Sequence, residues 1–148
     1  MSHANPRSRA SIAGIPLHPL LVGIPITCFV GALLTDIAYS RTALLQWANF
    51  SAWLLAAGVF FGCLAALAGI VDMTNRDVRS KPTAWPHAIG NTVALILAFF
   101  NCLVHSRDGW TSVVPTGLIL SAITVLILLV TGPLGAMLVY RYRVGVRP

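Results

Sequence analysis

Four runs of apolar residues, at about 17–39, 47–72, 86–105 and 115–140, extend almost end to end through this 148-residue chain. A helix that crosses the hydrocarbon of a bilayer needs about 20 residues, and each run is of that order. Hydrocarbon cannot hydrogen-bond an exposed backbone, so such a run closes its own hydrogen bonds as a helix. The expected fold is all-α, a four-helix transmembrane bundle in a single integral membrane domain spanning 1–148. Charged residues make up only 9% of the chain, against about 25% in a soluble domain. So little charge cannot cover a water-facing surface, and the solvent this chain expects is the lipid bilayer.

The formal charge of +6 does not point to nucleic acid, because the basic residues sit in short loops and tails between the apolar runs. Their distribution sets an orientation instead. Arg7, Arg9, Arg76, Arg79, Lys81, Arg141, Arg143 and Arg147 flank one end of the bundle, and Arg41 and Arg107 the other. The positive-inside rule puts the first end, with both termini, in the cytoplasm. The first run is too long for a signal-peptide core, carries Asp36 and lacks an A-x-A site, so it reads as a span. Cys28, Cys63 and Cys102 all fall within apolar runs, without CxxC spacing, and read as packing residues. Pro19 and Pro86 suit first helical turns, while Pro25 and Pro133 should bend their helices.

The helix faces carry the rest of the signal. In the second run Gly58, Gly62, Ala65 and Gly69 line one face that ends in Asp72, and small residues at this spacing let helices approach closely. In the third run His87, Asn91, Ala94, Ala98, Asn101 and His105 share one face. That polar face should point into the bundle, since an unpaired amide in hydrocarbon is costly. His18 and Asp36 stand 18 residues apart, and so do His87 and His105. An interval of 69 carries His18 to His87, Asp36 to His105 and Asp72 to Arg141. This suggests a tandem repeat of two helix pairs, with His18 and His87 at equal depth.

An imidazole in the first turn of a helix faces the positive end of the helix dipole, which favours the neutral ring. Neutral imidazole is the form that ligates iron or zinc. His18 and His87 are therefore candidate metal ligands, either as the axial pair of a haem b or as two ligands of an ion. The bland alternative is a pair of interfacial histidines bonded to Asp72, Asn91 or a carbonyl. Asp72 and Arg141 are expected to pair with each other; alternatively Asp72 orients an imidazole and Arg141 holds a haem propionate or a lipid phosphate. Asn91 and Asn101 read as interhelical glue, and Asp36 and His105 as wet helix ends or, alternatively, as a second, external polar site. The loop from Met73 to Trp85, with three basic residues, reads as a surface segment attracted to anionic lipid. No phosphate loop, nucleophile elbow or HExxH motif is present, and no independent enzymatic activity is expected.

The stretch from Gly14 to Ile26, with His18-Pro19, Val22 and Pro25, resembles the "HP-x-L-V-x-x-P-I" opening of a set of bacterial inner-membrane proteins, domain of unknown function 2231. The stretch from Gly132 to Val146 is similar to that family's "G-x-L-G-x-x-L-V-Y-R-x-G-V-G-V" close, and Ala66 to Asp72 and His87 to Asn91 fit the middle. The resemblance implies four helices, a multi-pass place in the bacterial inner membrane, and no settled activity. Some relatives lie beside or are fused to Rieske-type ferredoxins, which implies electron transfer. Two positions depart from the pattern: Tyr142 stands where many relatives carry a histidine, and Arg143 where they carry a glycine. This chain has no Rieske motif of its own. The leading expectation is a redox subunit with haem b between His18 and His87, exchanging electrons with quinone or a separate ferredoxin. The alternatives are a cofactor-free structural or regulatory membrane protein and, more weakly, a small transporter. The small-residue stripes would also allow a homo-oligomer.

Overall fold

The computed structural model describes residues 5–107 and 113–146. A two-residue hairpin comes first, β1 (Ser11–Ile12) paired antiparallel with β2 (Ile15–Pro16). Its turn puts Ala13 and Gly14 at φ of 51° and 75°, the left-handed pair a tight hairpin turn requires. Helices α1 (Leu17–Leu21) and α2 (Gly23–Thr42) form the first span. The second is α3 (Leu45–Met73), which the short α4 (Arg76–Arg79) follows. Then come α5 (Ala84–His105), a kinked segment over Val113–Gly117 in which Val114 is extended, and α6 (Leu118–Tyr140). Four segments, Leu17–Thr42, Leu45–Met73, Ala84–His105 and Val113–Tyr140, are long and apolar enough to cross a membrane. Each falls within a few residues of its expected run.

The break between α1 and α2 at Val22 has a local cause. Pro25 has no N–H to give to the Leu21 carbonyl, and its ring crowds that oxygen, so the helix parts there. Pro86 sits in the first turn of α5, where a missing N–H is harmless. Pro133 lies inside α6, which runs through it.

Helix α2 packs chiefly on α3, and α5 on α6; contacts of α3 with α5 and of α2 with α6 close the ring. The interior is small and polar. Ala32, Ala94 and Ala98 are buried, as are Ser51, Thr124 and Asn101. Many of the large apolar side chains face outward, with Trp53 78% and Leu129 67% exposed, while Phe29 and Leu55 pack inside against Ala32 and Ala98. A water-soluble bundle is built the other way round. Lipid accepts the large side chains, while small residues bring the backbones together. The expected seam along α3 is present: a Cβ at Gly58 would stand 2.5 Å from Phe29, and one at Gly62 would stand 2.8 Å from Leu95. Because the first span (α1 and α2) and α5 lie on opposite sides of the ring, side chains from these two spans meet across its axis.

Candidate functional site

Two such meetings occur, one at each end. At the first, His18 from α1 and His87 from α5 stand with ring centroids 5.8 Å apart and planes at 85°. The two rings are held alike. His18 Nδ1 donates to the Ala65 carbonyl at 2.8 Å, and His87 Nδ1 to the Thr131 carbonyl at 3.0 Å. A carbonyl can only accept, so a bond to it puts the ring proton on Nδ1 and leaves Nε2 as the lone-pair nitrogen; at His87 the Asn91 amide nitrogen also lies 3.1 Å from Nδ1, a contact that His18 lacks among the described residues. Neither Nε2 has a hydrogen-bond partner among the described residues. Each ring also lies over a glycine four residues beyond its carbonyl. A Cβ at Gly69 would stand 3.2 Å from His18 Nδ1, and one at Gly135 would stand 2.5 Å from His87 Cε1.

Asn91 joins this end, donating through Nδ2 to the His87 carbonyl at 2.7 Å and accepting from the Thr131 hydroxyl at 3.3 Å. Asp72 and Arg141 do not. Their expected ion pair is not made among the described residues, and Asp72 orients neither imidazole. Asp72 Oδ1 instead accepts three hydrogen bonds from the first described segment: the Ser8 hydroxyl at 2.8 Å, the Arg9 N–H at 2.8 Å and the Ala10 N–H at 2.9 Å. Arg141 caps the end of α6, exposed, with its guanidinium carbon 5.7 Å from the Tyr142 ring, which Lys81 approaches to 5.9 Å. The reason is register. The carbonyl and glycine that serve His18 (Ala65, Gly69) recur 66 residues on (Thr131, Gly135). The 69-residue interval that links the histidines therefore carries Asp72 about a turn too far, past the end of α6.

Asp72 thus ties residues 8–10 to the end of α3. Replacing it by alanine removes the one acceptor that two backbone N–H groups and a hydroxyl share. The expected outcome is loss of amide-exchange protection at Arg9 and Ala10, by roughly tenfold for each 1.4 kcal/mol of bonding lost, with the protection of α5 and α6 unchanged. Equal protection of Arg9 and Ala10 in Asp72→Ala would contradict this role.

At the far end the expectation of wet helix ends is corrected. Asp36 is 0% exposed, and the His105 ring is equally closed off. His105 Nε2 lies 2.8 Å from Asp36 Oδ1, and the Ser121 hydroxyl donates to Asp36 Oδ2 at 2.6 Å. Asn101 Nδ2 donates to Ser121 at 2.7 Å, and His105 Nδ1 donates to the Asn101 carbonyl at 3.0 Å. A Cβ at Gly117 would stand 2.6 Å from His105 Cε1. All three imidazoles among the described residues, the half-buried His18 and His87 and the buried His105, thus lie against glycines, of which the residue pattern singles out Gly69 as part of a seam and Gly135 within the closing motif. Carbonyl acceptors such as Ala65 and Thr131 leave no trace in residue type.

Among the described residues no three His, Cys, Asp or Glu side chains gather as metal ligands. The chemistry available is that of two facing imidazoles at one end and a sealed carboxylate–imidazole pair at the other. No curated protein and no solved structure matches the chain. The family model described as "Predicted membrane protein (DUF2231)" matches residues 14–148, a stretch that takes in all four spans, and the chain belongs to that family.

Proposed function

We propose that this multi-pass membrane protein is an electron-transfer subunit that holds a haem b between His18 and His87. The observation that carries the reading is the matched pair of imidazoles, each with Nδ1 fixed on a carbonyl and Nε2 left unbonded among the described residues. Such outer partners orient metal-ligating histidines and raise their basicity. The spacing fits. A metal–nitrogen bond of about 2 Å puts the centroids of two rings on one ion roughly 6 Å apart, and here they are 5.8 Å apart. The ligand count also favours haem over a bare ion. Protein zinc sites use three or four side chains, whereas a porphyrin supplies four nitrogens and asks the protein for two axial ligands. The bound group would supply one-electron chemistry, with its potential tuned by axial ligands and burial.

In this reading the chain's own residues do the positioning. Ala65 and Thr131 aim the rings, Gly69 and Gly135 give them room, and Asn91 braces His87 from its own helix. Arg141 and Lys81, gathered at the Tyr142 ring, offer positive charge for a propionate at the same end of the bundle. The electron partner would be a quinone dissolved in the bilayer or a separate Rieske-type ferredoxin, and the membrane that of a bacterial cytoplasm.

One observation favours a second reading. Rings 5.8 Å apart at 85° also form an ordinary edge-to-face contact, which would make the pair a cofactor-free clasp between α1 and α5. The test is the reduced-minus-oxidised absorption spectrum of protein expressed with haem precursor and purified. The expected result is a sharp reduced band, lost in both His18→Ala and His87→Ala. A featureless spectrum from folded, haem-supplied protein overturns the haem reading in favour of the clasp.

A further inference from the structure

Beside the sealed pair at the far end lies a cavity of about 100 Å³, with a wall formed by Tyr39, Ala48, Asn49, His105, Arg107 and Val113. A water takes roughly 30 Å³ of liquid volume, so the cavity has room for a few. We propose that this cavity is a water-filled inlet through which the buried Asp36–His105 pair exchanges its proton with the aqueous face opposite His18 and His87. The proposal does not rest on the haem reading, because the pair lies about 27 Å along α5 from His87 at 1.5 Å per residue.

Three observations carry it. First, an acid and an imidazole with no accessible side-chain surface sit inside a lipid-solvated bundle. Ionisable groups at such depth are costly and are retained for what they do. Second, their hydrogen bonds form a directed chain. Both His105 nitrogens face acceptors, the Asp36 carboxylate and the Asn101 carbonyl, while Asn101 feeds Ser121 and Ser121 feeds Asp36. The line between Nε2 and Oδ1 carries one proton, whichever atom holds it. Third, Asn101 Oδ1 is fully buried and has no donor among the described residues, and neither does Thr124 Oγ1 one turn beyond Ser121 on α6. Buried acceptors of this kind are met by water, so water already belongs on the inner side of the pair.

The cavity reaches His105 while the ring stays sealed behind it, so exchange passes through a small local opening. Among the described residues, the charged and titratable groups that face the pair are few. Helix α2 adds Tyr39, and Arg107 follows α5; α3 contributes the neutral Asn49 and Ser51, and α6 only hydroxyls. Arg107 at the mouth offsets the negative charge left whenever the pair gives up its proton. The step is a plain proton transfer. A hydronium ion in the cavity hands a proton to the pair and remains as water, and release runs the same path backward with nothing oxidised or reduced.

The test uses full-length protein with ¹⁵N-labelled histidine, reconstituted in phosphatidylcholine vesicles and moved into D₂O. The His105 ring N–H signals, assigned by their loss in His105→Gln, are followed by solid-state NMR. The expected result is exchange within minutes, while backbone amides of α5 around Ala94 and Ala98 stay protonated. Ala48→Leu, which fills the cavity and leaves the Asp36 and His105 side chains themselves unaltered, is expected to slow exchange on the order of tenfold, because exchange must then await a wider opening of the helices. Ring N–H signals that persist as long as the α5 amides, or a rate that Ala48→Leu leaves unchanged, overturn the proposal. Should Ala48→Leu fail to fold, the wild-type rate alone decides.

Discussion

Replacing Asp36 by alanine is expected to destabilise the bundle by about 3–5 kcal/mol, the range for breaking one side of a buried charged pair. The magnitude follows from what is left behind. His105 Nε2 loses its partner at 2.8 Å and the Ser121 hydroxyl its acceptor at 2.6 Å, and both groups are left buried with that partner gone. An ordinary interhelical hydrogen bond in a membrane averages only about 0.6 kcal/mol, so two such bonds would cost about 1–2 kcal/mol together. The size of the loss therefore separates a polar clasp from a pair that bears charge. Asp36→Asn keeps one acceptor for the ring and is expected to lose about 1 kcal/mol, near one neutral hydrogen bond. The double variant Asp36→Leu, His105→Leu removes both partners and fills their volume with hydrocarbon. It should recover most of the single-variant loss, since apolar replacement of a buried pair is commonly neutral or stabilising. Reversible unfolding in mixed micelles measures all three. An Asp36→Ala loss below 1 kcal/mol, or strict additivity in the double variant, would make the pair incidental.

That pair also marks the limit of what the residue pattern discloses. The four spans were legible because hydrocarbon demands long apolar helices, and the inward face of α5 because amides cannot face lipid. The common interval of 18 residues between His18 and Asp36 and between His87 and His105 was legible too, and it is the reason both pairs meet across the axis at their own ends. What periodicity does not carry is which residues cover an end. Tyr39, Val113 and the kinked segment with Gly117 lie beside His105, and the short contacts that place them there have no helical period. The strap over Asp72 was hidden for a related reason. Its donors are mainly backbone N–H groups of Arg9 and Ala10, and any residue offers those. Arg141 was the tempting partner because charge is visible in a sequence, but it stands at the end of α6 and out of reach.

The glycines beneath the histidines give the second large effect, and an unequal one. Gly135→Ala puts a methyl 2.5 Å from His87 Cε1 and 3.0 Å from Nδ1. No real carbon sits that close, so the ring has to swing, and it cannot do so while Nδ1 keeps its 3.0 Å bond to the Thr131 carbonyl. Gly69→Ala puts its methyl 3.2 Å from His18 Nδ1, a crowding that a shift of a few tenths of an ångström relieves. Both substitutions favour the helix by about 1 kcal/mol over glycine when no clash intervenes, so helical propensity cannot explain a difference between them. If His18 and His87 are axial ligands, haem affinity should fall about 10–100-fold in Gly135→Ala, the usual effect of disturbing a ligand's outer support, and only a few-fold in Gly69→Ala. The ring itself gives a readout that needs no cofactor: the His87 Nδ1–H resonance should lose the shift of a carbonyl-bonded proton in Gly135→Ala, and the corresponding His18 resonance should keep it in Gly69→Ala. Similar losses in the two variants would mean that the glycines serve helix approach alone, and the imidazoles would then have no dedicated seats.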